Sequence, residues 1–138
     1  MDIIYKALLD YVKDEKILVD YLYVIYTLLD KYGKTLYDFV DRIKEVDEKL
    51  AEVLIYFKEE NFDKTDVYKL LMDAISKTGY NVLEVTLGEN VNIEEFDLPE
   101  WDVNVKSKPD DVGIEIKTAD GKVYKRFLLE DVKRMLDL

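Results

Sequence analysis

The sequence predicts an α+β protein. Its helical N-terminal half reads as an antiparallel helical hairpin or small bundle. A small, mainly antiparallel sheet of three or four strands and a C-terminal helix follow. Three observations predict this. Apolar residues recur every three or four positions as far as Gly79. Beyond it they alternate with polar ones, the period of a half-buried strand. The closing stretch LLEDVKRMLDL returns to helical spacing. Residues 1–79 are therefore expected to form a helical domain or subdomain, with residues 80–138 a small α/β subdomain packed on it.

The first stripe is Ile3, Ile4, Ala7, Leu8, Tyr11 and Val12. A second runs from about Glu15 to Tyr32 and stops at Gly33, the residue best able to take the left-handed conformation past a helix end. KDEK at 13–16 leaves open whether these are one helix or two. Thr35 is expected to cap a third helix over residues 35–60, roughly 39 Å long at the usual helical rise. In it Leu36, Phe39, Ile43, Val46, Leu50, Val53 and Phe57 alternate spacings of three and four. Leu18, Tyr21, Ile25, Leu28 and Tyr32 do the same in the second helix. Such seams pack helix on helix at a shallow angle. A fourth helix is expected from Asp63 or Thr65 to SKTGY, with Gly79 as terminator.

In the second half YNVLEVTL, WDVNVK, GIEIKT and KVYKRF read as strands. Asp120-Gly121 between the last two is a strong hairpin signal. Residues 101–106 and 113–118 are expected to form the arms of another hairpin, with SKPDD near its bend. The last helix carries acids toward its start and bases later, as the helix dipole prefers.

Composition narrows the chemistry. The chain has 138 residues, no cysteine and no histidine. Disulfides, thiolate sites, histidine-bound zinc and the histidine-based triads are therefore excluded. The N-terminus lacks the pattern of a signal peptide, and the most apolar run, residues 17–29, is short for a bilayer and contains Asp20. A cytoplasmic protein with no membrane contact is the expectation. Charged residues make up 37% of the chain and glutamine is absent, a balance that points to a thermophilic source.

Net charge is −11. Such a surface repels nucleic acid unless its bases are segregated. Here Lys122, Lys125, Arg126, Lys133 and Arg134 cluster near the C-terminus, diluted by Asp120, Glu130, Asp131 and Asp137. No base falls between Lys77 and Lys106, a span that holds Glu89, Glu94, Glu95, Asp97 and Glu100. These five are the candidate binding residues for another macromolecule, most simply a protein. An acidic nucleic-acid mimic that blocks a DNA-binding protein is an alternative.

One constellation suggests catalysis. Asp102 is followed at a distance by Glu115-Ile116-Lys117. The pattern resembles the core motif of restriction-endonuclease-like nucleases, with spacing similar to that of archaeal Holliday-junction resolvases. The resemblance implies a Mg²⁺-dependent nuclease in which Asp102 and Glu115 hold the metal and Lys117 is the catalytic lysine. The same residues equally fit the wet side of a hairpin, where opposite charges pair across strands. That reading is adopted, with no cofactor.

The second helix is apolar nearly all round, so it must be central or must face a partner. Self-association as a homodimer is expected through Leu18, Tyr21, Ile25, Leu28, Leu36, Ile43, Leu50 and Phe57. The functional expectation is a non-enzymatic interaction or regulatory protein.

Overall fold

The computed structural model describes residues 2–77, 82–87, 104–107, 114–118 and 120–137, the strands at 82–87 and 104–107 through their backbone alone. Helix α1 (Asp2–Val12) and helix α2 (Glu15–Tyr32) are separate. The break has a local cause. Lys13 sits at φ 68, and Asp14 turns extended so that its carboxylate accepts from the Lys16 and Ile17 amides at 2.8 and 3.3 Å. Helix α2 ends where expected, with Gly33 at φ 62.

The single helix expected over 35–60 is three pieces. A 3-10 helix spans Gly33–Phe39, α3 spans Val40–Val46 and α4 spans Glu48–Glu59. Thr35 lies inside the 3-10 segment and caps nothing. The heptad pattern holds across the break because it reports which residues face the core, not whether the backbone is continuous. Asp47 makes the break: it is extended, and its Oδ1 accepts from the Leu50 amide at 3.0 Å as the N-cap of α4. Helix α5 (Lys64–Lys77) opens with reciprocal bonds between Asp63 and Asp66, each amide donating to the other's carboxylate at 3.0 Å. The terminator expected at Gly79, like the domain boundary expected after it, lies outside the described residues.

Four strands follow, β1 (Val82–Leu87), β2 (Asn104–Ser107), β3 (Ile114–Thr118) and β4 (Val123–Arg126), in the order β2-β1-β3-β4. β1 pairs parallel to β2 and antiparallel to β3, and β3 pairs antiparallel to β4. The β3–β4 hairpin closes with Gly121 at φ 83. Its turn is held by the Thr118 amide on the Lys122 carbonyl at 3.0 Å and by a short hydroxyl bond from Thr118 to Asp120. Helix α6 (Leu128–Leu136) closes the fold.

The expected hairpin of residues 101–106 with 113–118 does not form, because β1 lies between β2 and β3. β2, which follows β1 in sequence after residues 88–103, pairs on the side of β1 away from β3. Sequence adjacency was the wrong guide there.

α2 is the centre of the molecule. α5 lies along it, with α1, the 3-10 helix and α6 around the rest of its circumference. Leu18, Leu22, Tyr23 and Val24 reach zero exposure within one chain. Ile114 and Ile116 of β3 and Leu128, Leu129 and Val132 of α6 join the same apolar cluster, so sheet and helices share one interior. Among the described residues no helix is long and apolar enough to cross a membrane.

Candidate functional site

Glu115 and Lys117 sit on the solvent side of β3, alternating with the inward Ile114 and Ile116. The Glu115 carboxylate stands between two ammonium groups. Lys117 Nζ is 3.9 Å from Oε1, and Lys125 Nζ, on the register partner of Glu115, is 3.9 Å from Oε2. Asp102 lies outside the described residues. β2 (Asn104–Ser107) is separated from β3 by β1, two strand spacings or roughly 10 Å. Glu89, Glu94, Glu95, Asp97 and Glu100 likewise lie outside the described residues.

The eight side chains expected at a dimer interface are all interior. Leu18, Leu36 and Phe57 have no exposure, Ile25, Leu28, Ile43 and Leu50 have 1%, and Tyr21 has 3%. Their own chain covers them, because the break at Asp47 folds the seam of α3 and α4 inward. A second copy could not reach them without opening the core.

The C-terminal basic cluster is neutralised by its own neighbours. Lys122 stands 3.9 Å from Asp120, Arg126 bonds Asp47 at 2.9 Å, and Arg134 bonds Glu130 at 2.8 Å.

The most concentrated chemistry is a cluster that joins β4 to the helices. Asp20 on α2 is 1% exposed, and the Tyr124 hydroxyl donates to its Oδ2 at 3.0 Å. Arg126 Nε lies 3.9 Å from the same oxygen, while its Nη2 donates to Asp47 Oδ2 at 2.9 Å. The Tyr21 hydroxyl contacts both Asp47 oxygens at 2.8 and 3.0 Å. Asp20 Oδ1 has no hydrogen-bond partner among the described residues.

Burial pushes the Asp20 carboxyl up to about 7, against the pull of Tyr124 and Arg126 in the other direction. Burial and the neighbouring Asp47 raise Tyr21. Burial and Asp20 raise Tyr124. Burial works against the charge of Arg126, but hydrogen bonds to Tyr124 and Asp47 outweigh it and hold the guanidinium protonated. Enclosed in this way, the cluster works as a cross-link between the halves. One signal for it was visible, a lone aspartate within the apolar run 17–29. Asp47, between Val46 and Glu48 in an unbroken helical pattern, gave none.

A second feature is apolar. α1 and α4 enclose a shallow groove of about 210 Å³ lined by Ala7, Leu8, Tyr11, Glu52, Val53 and Tyr56. Beside it Ile3 is 85% and Tyr11 43% exposed, and Ala7 between them is exposed too.

Neither family models, curated proteins nor solved structures give a match to this chain.

Proposed function

We propose that this chain is a non-enzymatic interaction protein. In this reading it acts in the cytoplasm, self-associates through its helical half and meets another macromolecule, a protein, through its acidic surface. The observation that carries it is the α1 face. Three successive positions one helical turn apart, Ile3, Ala7 and Tyr11, are apolar and exposed beside an apolar groove. Contiguous apolar surface of this kind marks contact sites. The acidic contact rests on the net charge of −11 and on the basic-free span between Lys77 and Lys106. The nuclease alternative would need Asp102, which lies outside the described residues, to stand beside Glu115 and Lys117.

The test is capture on immobilised protein at low and high salt. Ile3→Asp and Glu94→Gln/Glu95→Gln variants run beside the wild type, and each captured protein is then purified and its binding measured directly. A partner lost on either variant supports the reading. Binding indifferent to both variants overturns it. A DNA-binding partner released by salt and by the glutamine variant would instead support mimicry of nucleic acid.

A further inference from the structure

We infer that the exposed face of α1 is an isologous docking surface for a second copy of this chain, paired antiparallel about a twofold axis near Ala7. The inference rests on the interaction reading above and moves the contact away from the core seams.

Helix α1 carries more apolar arc than its own fold uses. Tyr5, Leu8 and Val12 are buried, yet Ile3, Ala7 and Tyr11 form an adjoining strip left outside. The other exposed large apolar groups lie outside helices: Val123 is on the edge strand and Phe127 just after it, with the Lys125 ammonium 5.3 Å from its ring, as the Lys49 ammonium stands 5.9 Å from the ring of Tyr11. Only on α1, among the described residues, do exposed apolar positions repeat at helical spacing.

The charges beside the strip select the occupant. Lys6 and Asp10 lie along one side of it, exposed, and neither forms an ion pair among the described residues. Their order, lysine before the acid, is the poorer one for pairing along a single helix. When two α1 helices run antiparallel with Ala7 opposite Ala7, like sides meet. Ile3 then faces the partner's Tyr11, and Lys6 comes beside the partner's Asp10. The twofold axis repeats each contact, so one strip supplies both halves of a self-complementary surface. Ala7 at the centre lets the backbones approach, and each Ile3 reaches the apolar groove flanked by the other chain's Tyr11 and Tyr56. An unrelated partner would have to match this alternation. A second copy matches it by symmetry.

The helix is only about 16 Å long, so the contact is smaller than that of an obligate dimer, and a reversible association is expected. Sedimentation velocity over a concentration series up to about 500 μM reads it directly. The wild type should show a monomer–dimer equilibrium. Ile3→Asp should weaken it at least about tenfold, with an unchanged melting curve because Ile3 is 85% exposed. Lys6→Asp should weaken it through repulsion, and Lys6→Asp/Asp10→Lys should restore it.

A wild type that stays monomeric, or a dimer indifferent to both Ile3→Asp and the charge reversal, overturns the inference. If the monomer nevertheless binds a different purified protein in an Ile3-dependent way, the second copy is ruled out and the interaction reading stands. If neither contact exists, both fall.

Discussion

Tyr124 and Asp20 are 104 residues apart in sequence, and their hydroxyl and carboxylate meet at 3.0 Å where β4 crosses α2. The bond is the polar counterpart of the shared apolar interior. It ties the last strand to the central helix through a group with 1% exposure.

Removing that hydroxyl tests its weight. Tyr124→Phe keeps the ring and leaves the Asp20 carboxyl with one partner fewer in a dry site. A loss of about 1–3 kcal/mol is expected, the cost of an unsatisfied buried polar group. Urea unfolding at neutral pH measures it. A midpoint unchanged from the wild type would contradict the cross-link.

The pH dependence follows from Asp20. Its folded-state value, about 7, lies above the ordinary 3.8. The stability it contributes is therefore complete below about 3.8 and is lost as pH rises through 7. The interval is of order 4 kcal/mol. Asp20→Asn carries no titrating group there, so the difference in unfolding free energy between it and the wild type should shift between pH 4 and 8, in favour of the variant at the alkaline end. Parallel pH profiles would refute this.

Asp47 performs two tasks that substitution can separate. Asp47→Asn keeps a good N-cap for α4 but removes the charge facing Arg126, whereas Asp47→Ala removes both. The alanine variant should lose about 1–3 kcal/mol, because Arg126 is part-exposed, and the asparagine variant clearly less. Equal losses by chemical denaturation would mean that the cap contributes nothing.

Glu115 should behave as a surface residue. Glu115→Ala breaks two long, half-exposed ion pairs and should change stability by less than about 1 kcal/mol. Millimolar Mg²⁺ should leave the melting temperature of both proteins unmoved. Branched, single- and double-stranded nucleic acids should stay intact with Mg²⁺ or Mn²⁺. Metal-dependent cleavage abolished by Glu115→Ala would restore the nuclease.

Gly121 offers a backbone test. At φ 83, with no atom within 4 Å of an added Cβ, Gly121→Ala meets no clash but does meet the left-handed penalty. A loss of about 1 kcal/mol is expected by thermal unfolding.

The sequence disclosed what depends on local pattern. Gly33 ends α2 and Gly121 turns the hairpin because both need positive φ, and such a need shows in residue type. The buried seams were legible for the same reason, since periodicity reports facing. Asp47 was not legible. Besides capping α4 it holds Arg126, which lies 79 residues away, and Tyr21 on another helix, and neither partner leaves a local mark. The strand order was hidden too, because β2 pairs with β1 across residues 88–103 and leaves no local mark. The candidate metal trio turns on the same long-range topology, and its Asp102 lies outside the described residues, whereas the charge alternation that suggested it is present on β3. The core residues mistaken for an interface show a matching limit: a stripe tells that a face is covered, and is silent about what covers it.

β4 is an outer strand only four residues long, and it ends in Lys125 and Arg126. A rim this short, with a cationic side chain at 43% exposure, is a poor template for adding a foreign strand. Edge-on growth of fibres from this rim should accordingly be disfavoured even in concentrated solutions.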